Sequence, residues 1–347
     1  MPKYTGSEFI IMGVPGETLD KATEDLIRGL QPAGFILFKR NINGARQLRA
    51  LTDSLRKLVD HEPFMALDQE GGRVSRLGPL LTTQPVSPGH LRRHGDKKLM
   101  KRQGALTGKL CKLFGFNLNL APVLDIEIKP DKHLEDRCFG ITAEEATVNA
   151  AEFIKGMHSQ GLLSCGKHFP GYTAATVDPH LHLPLIERHA HELHSMEWIP
   201  FRELSCMLDM IMTAHAKNPI LDPSGKPASL SPLMVRKVLR DEWHYDGCLV
   251  TDDIDMGAIR NHYGTTEAAV MAFEAGNDLV LVCHSIDKVE EIANTLAKLP
   301  HRTQEESYGR ILQLRQCLVA PSDFAPSELR RLDAQFEKMH TAVVPAK

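Results

Sequence analysis

Eight short apolar runs alternate with segments of helical period along most of this chain, and that alternation constrains the fold more than any other property of the sequence. The runs cover residues 9–12, 34–38, 64–67, 117–125, 162–165, 210–213, 248–251 and 279–282. They are near-continuously apolar rather than alternating, as expected of parallel strands buried on both faces. Between them the period changes to that of a helix; in residues 19–30, for example, Leu19, Ala22, Leu26 and Leu30 share one face. Strand followed by helix, repeated eight times, predicts an α/β chain closed into a (β/α)8 TIM-type barrel, here a single domain of residues 1–300. A doubly wound sheet would want fewer strands and a glycine-rich phosphate turn after the first, which Gly13-Val-Pro-Gly16 does not supply. Residues 301–347 read as a C-terminal helical extension: a helix, a proline-containing break at 318–326, and a charged helix over 327–340. It packs on the outside of the barrel or in a subunit contact.

Most of the apolar runs end in charge, and in parallel barrels ligands bind where strands end. Asp68 and Arg76 follow the third run, Asp125 closes the fourth, and Arg137 lies in the polar stretch after it. Lys167 and His168 end the fifth run, His215 the sixth and Asp252 the seventh. Asp178 and His180 stand two apart on the loop after Gly171. An aspartate beside an imidazole fixes its tautomer and raises its basicity, the usual way of holding a proton-transfer histidine. Bland readings compete at each place. Asp252 or Asp253 could cap the next helix, Arg76 and Arg137 could form rim ion pairs, and His168 could be a hydrogen-bonded core histidine. His215 reads as a supporting residue behind the site. A rigid carboxylate facing an Asp-His pair fits glycosyl transfer by double displacement, with Asp252 attacking the anomeric carbon and His180 protonating the leaving oxygen. Histidine suits the second role because its ordinary pKa of about 6.5 already lies near neutrality.

Lysine and arginine number 41 against 44 aspartates and glutamates, a net charge of −3, and no basic run stands out. Nucleic acid and membrane surfaces are therefore poor partners, and a small molecule is the better expectation. The seven cysteines are scattered and lack Cys-x-x-Cys spacing, which suits a reducing compartment rather than a disulfide framework or a zinc site. With no secretory h-region and no apolar run long enough to span a bilayer, the expected location is the cytoplasm.

Seven motifs occur together and in order: Asp68-Gln-Glu-Gly-Gly-Arg-Val-Ser-Arg76, Leu120-Ala-Pro-Val-Leu-Asp125, Glu135-Asp-Arg-Cys-Phe-Gly140, Gly166-Lys-His-Phe-Pro-Gly171, Asp178-Pro-His180, Pro227-Ala-Ser-Leu-Ser231 and Thr251-Asp252-Asp253. The set resembles family 3 glycoside hydrolases, of the single-domain β-N-acetylhexosaminidase type that serves bacterial peptidoglycan recycling. Position by position, the resemblance implies Asp252 as nucleophile, His180 as acid/base and Asp178 as its partner. It implies Asp68, Arg76, Arg137, Lys167 and His168 as sugar-binding residues. It further implies N-acetylglucosamine, β-linked to an anhydro-muramyl peptide or similar leaving group, as the carbohydrate partner, with no metal or organic cofactor. Two departures stand out. The family pattern usually continues His-Gly after Gly171, where this chain has Tyr172-Thr173, and the serine usual between the dyad partners is Pro179. They bear on the mobility of that loop and on leaving-group preference.

Within the same family, phosphorolysis and β-glucoside hydrolysis are the variants to weigh, since a neutral histidine repels an incoming phosphate less than a carboxylate does. A metal-dependent amidohydrolase barrel is a remoter reading, resting on His180-Leu-His182, which falls mid-chain instead of on an early strand. A non-catalytic sugar-binding barrel is expected to have lost the nucleophile or the dyad, and this sequence has both.

Overall fold

The computed structural model describes residues 4–128, 134–173 and 183–344. Eight strands build the barrel: β1 (Ile10–Gly13), β2 (Gly34–Ile36), β3 (Phe64–Leu67), β4 (Leu118–Asn119), β5 (Leu163–Phe169), β6 (Met210–Thr213), β7 (Cys248–Asp253) and β8 (Leu279–Val282). Each pairs in parallel with its neighbours in chain order, and β8 returns to β1 with Ile10 opposite Val280 and Met12 opposite Val282. Closure leaves the barrel sheet no free edge. Strands β1, β2, β3, β6 and β8 are buried at every residue, which is why their sequences are apolar without alternation. In β7 the first four residues are buried and Asp252 and Asp253 are only half-buried. Burial thus falls off where the strand leaves the wall for the rim.

The outer layer follows in order: α1 (Lys21–Leu30), α2 (Ala45–Arg56), α3 (Lys97–Leu113), α4 (Ala143–His158), α5 (Ala190–Ser195), α6 (Ile199–Leu204), a π-helical segment (Leu233–Glu242), α7 (Thr265–Ala275) and α8 (Val289–Leu296). Local sequence explains their ends. Asp20 accepts the Thr23 N–H at 2.8 Å to start α1, and Gly276, at φ 113°, stops α7. Thr142 caps α4 through the Glu145 N–H at 3.2 Å, while the Glu145 carboxylate reaches back to Ile141, one residue earlier than a capping box requires. The one helix that the periodicity predicts over 193–207 is divided into α5 and α6. Pro200 sits in the first turn of α6, where its missing N–H costs nothing, and it could not have stood inside a continuous helix.

The (β/α)8 expectation therefore holds. Beyond it, α9 (His301–Arg315) and α10 (Pro326–Val343) are the last helices among the described residues, and α10 lies against α3. Its apolar stripe, Leu332, Phe336, Met339 and Val343, is buried in the same hydrophobic cluster as the barrel strands. Asp333 accepts the Thr82 N–H and hydroxyl at 2.9 and 2.8 Å.

Candidate active site

The end of β3 runs straight into a tight hairpin, Gln69–Gly71 paired antiparallel with Val74–Ser75. Asn119 on β4 ties it down, accepting the Gln69 N–H at 2.9 Å and donating to the Gln69 carbonyl at 3.0 Å. Side chains two apart on extended chain share a face, so Asp68 and Glu70 point the same way. Lys167 at the end of β5 bonds both, at 2.8 Å to each. Arg76, from the far side of the hairpin, adds a bond to Asp68 at 3.0 Å. Arg137 grips Glu70 with two bonds of 2.8 Å. Two carboxylates and three cations thus form one lattice of charge-assisted bonds, buried at its centre, where Lys167 and Glu70 are each only 2% exposed, and half-buried at Asp68, Arg76 and Arg137. Burial alone would raise the acids' pKa. The Lys167 and Arg76 charges outweigh it and hold Asp68 well below the usual carboxylate range, and Arg137 with Lys167 brings Glu70 to about 2. Burial pulls the Lys167 pKa down, but Asp68 and Glu70 together push it above its ordinary value.

Beside this lattice, His168 Nδ1 meets the Asp125 carboxylate at 2.7 Å, and the other Asp125 oxygen accepts the Tyr172 N–H at 2.7 Å. On β7, Asp252 Oδ1 accepts the Asp253 N–H at 2.9 Å. Asp253 turns its own carboxylate back to the N–H groups of Asp255 at 3.0 Å and Cys283 at 3.3 Å. His215, fully buried behind them, faces the Asp253 carbonyl with Nε2 at 2.9 Å and the Ser229 hydroxyl with Nδ1 at 2.7 Å. A carbonyl only accepts, so Nε2 carries the hydrogen and Nδ1 takes one from Ser229. Burial lowers the His215 pKa, consistent with a neutral ring pinning the end of β7.

A cavity of about 400 Å³ opens at the ends of the strands. Asp68, Arg76, Arg137, Lys167, His168 and Asp252 all reach it. Asp178 and His180 lie outside the described residues, as does His182. Arg76 and Arg137 do form ion pairs, but with carboxylates that border the same cavity, so pairing and a place in the site are not alternatives here. Glu70 is the site residue that the reading of strand ends passed over. The two-residue spacing of Asp68 and Glu70 carried the signal, had the segment been read as extended. Tyr172, Asp253 and Phe38 also line the cavity.

With this geometry in hand, comparison with known proteins gives one pattern. The model of the glycosyl hydrolase family 3 N-terminal domain matches residues 7–314. The chain belongs to glycosyl hydrolase family 3. The curated β-hexosaminidase of Pseudomonas aeruginosa is 31% identical to this family 3 chain over 290 residues, which span 84% of the chain and 86% of the relative. That of Idiomarina loihiensis is 30% identical, spanning 93% and 96%. Among solved structures, NagZ from Neisseria gonorrhoeae in complex with N-trifluoroacetyl-D-glucosamine superimposes with a TM-score of 0.82 at 27% identity, covering 99% of this chain and 98% of that one. A family 3 β-N-acetylglucosaminidase from Paenibacillus gives 0.86 at 29% identity, over 96% of this chain and 68% of its own.

Proposed function

We propose that this family 3 enzyme is a retaining β-N-acetylglucosaminidase that releases terminal β-linked N-acetylglucosamine through a covalent glycosyl ester on Asp252. The observation that carries the reading is the position of Asp252. It ends a barrel strand and borders the same cavity as the Lys167–Asp68 and Arg137–Glu70 pairs, so an anchored carboxylate shares its space with a set of rigid, directional hydrogen-bonding groups. The names of the curated relatives and the N-acylglucosamine bound to the Neisseria neighbour support the choice of sugar.

In the first half of the reaction Asp252 attacks the anomeric carbon while His180, as imidazolium, gives its proton to the departing glycosidic oxygen. In the second, neutral His180 takes a proton from water as that water attacks the anomeric carbon and breaks its bond to Asp252, restoring the carboxylate and the β-configuration. Asp178 orients the imidazole throughout. Asp68, Lys167, Arg76, Arg137 and His168 hold the hydroxyls of the sugar. Muropeptide fragments from cell-wall turnover are the proposed natural substrates, in the cytoplasm. All seven cysteines are free thiols, five of them buried, and no described helix is long and apolar enough to cross a membrane; both fit that placement. A panel of 4-nitrophenyl sugars tests the reading. The β-N-acetylglucosaminide should be cleaved at least tenfold faster, as kcat/KM, than the β-glucoside. Equal rates, or a dependence on added phosphate with release of sugar 1-phosphate, would move the chain to the glucosidase or phosphorylase reading.

A further inference from the structure

Tyr172 is the first residue at which the chain departs from the family pattern after Gly171, and its surroundings are unusual for a tyrosine. The side chain is 7% exposed and lines the cavity that Asp252 borders. Its backbone is fixed by the N–H bond to Asp125, and its ring sits 5.0 Å from that of His168 at 46°. The ring is therefore held from both sides. The hydroxyl is buried; the His215 backbone N–H approaches its oxygen as a donor, but among the described residues no acceptor takes its hydrogen.

An orphaned buried O–H is costly, and native interiors rarely keep one without a reason. Replacement by phenylalanine would remove that cost without changing the packing. Burial pushes the phenol pKa well above its ordinary value, and the Asp252 and Asp125 charges push the same way, so the group stays an O–H donor across the working pH range. A histidine at this position would be a different device, because one of its nitrogens gains or loses a proton near neutrality.

We propose that the Tyr172 hydroxyl is a substrate-binding donor, completed only when a sugar fills the cavity, where it bonds an acceptor oxygen of the residue held against Asp252. The acceptor is a ring hydroxyl or the acetamide carbonyl of the N-acylated sugar. This rests on the glycosidase reading above and adds to it one ligand contact specific to this chain.

The test is Tyr172→Phe, assayed with the 4-nitrophenyl β-N-acetylglucosaminide and β-glucoside and by calorimetric binding of N-acetylglucosamine. The wild-type chain is measured first: if it neither cleaves these glycosides nor binds the sugar, both readings fall. With wild-type activity present, the variant should keep or raise its melting temperature. Its kcat/KM should fall about 3- to 10-fold, the worth of one neutral hydrogen bond, carried mainly by KM, with the Kd for N-acetylglucosamine rising by the same factor. A loss on both glycosides assigns the bond to a ring hydroxyl; a loss confined to the N-acetylglucosaminide assigns it to the acetamide. Kinetics and binding within twofold of wild type would overturn the proposal and leave the glycosidase reading standing. A lowered melting temperature with unchanged Kd would also overturn it, because the hydroxyl would then be structural.

Discussion

At the scale of single residues, the site is governed by which charges have partners. Glu70 is buried and Asp68 half-buried, but both are matched by Lys167, Arg76 and Arg137, so they stay ionised. Asp253, which lines the same cavity, has no lysine or arginine in ion-pair contact among the described residues. Its carboxyl rises to about 7: burial is the largest cause, and the Asp255 and Asp252 charges add to it against the pull of the Asp255 N–H bond. His284 approaches at 3.5 Å, but burial and the Arg40 charge lower its pKa, so it offers no permanent positive charge. The linkage follows from these directions. Between about pH 4 and 7 the folded chain holds a proton on Asp253 that the unfolded chain has released, so this group's contribution to stability falls as pH rises through that window. Asp253→Asn cannot ionise and keeps both an acceptor and a donor. The melting temperature of Asp253→Asn minus that of wild type should therefore climb from pH 4 to about pH 7 and level off above it; a flat difference would show that Asp253 titrates normally.

At the scale of elements, α3 and α4 approach closely where each has a glycine. A Cβ on Gly104 of α3 would lie 2.1 Å from the Phe153 carbonyl oxygen of α4, and one on Gly156 of α4 would lie 2.1 Å from that of Lys101. Gly309 in α9 has nothing within 4 Å of its Cβ position. The two kinds of helical glycine should respond oppositely to alanine. Gly104→Ala must push backbones apart, which should destabilise by about 1–3 kcal/mol. Gly309→Ala should stabilise by about 0.5–1 kcal/mol through helix propensity alone. Chemical denaturation of the two variants measures both; a Gly104→Ala chain no less stable than wild type would mean the helices can part without cost, and a destabilised Gly309→Ala chain would contradict the propensity argument. Elements of this kind show how legible the chain was. The eight strands and α1 could be read from apolar period, the strands because closure buries both faces of each. The division of α5 from α6 was visible only as Pro200, since an apolar stripe continues across it. The role of Gly104 and Gly156 was not visible at all, because a close crossing depends on which two helices meet. In the site, charged residues at strand ends could be picked out one at a time. The matching of Glu70 to Arg137 joins residues from separate loops and needed the fold.

At the scale of the whole molecule, the C-terminal extension extends the barrel's own core. Ile311 and Leu314 of α9 and the stripe of α10 join the cluster that includes the strands, and Arg310 bonds the buried Asp278 at 3.0 Å beneath β8. We propose that residues 301–347 unfold with the barrel as one unit. Scanning calorimetry should give one transition for the full chain. A chain ending at residue 325 should melt several degrees lower, with the α3 face left bare. Two separated transitions in the full chain would make the extension an independent domain. In the mechanism proposed above, the barrel holds Asp252 where a sugar's anomeric carbon arrives. The most direct test is to trap what forms there. The protein is incubated with a 5-fluoro-N-acetylglucosaminyl fluoride, whose covalent intermediate turns over slowly, then quenched in acid, digested with protease and sequenced by mass spectrometry. The account predicts one glycosyl adduct per chain, on the peptide carrying Thr251-Asp252-Asp253 and fragmenting to Asp252, and none in Asp252→Ala. An adduct on another residue, or an active enzyme that releases inverted product and never forms an adduct, would contradict it.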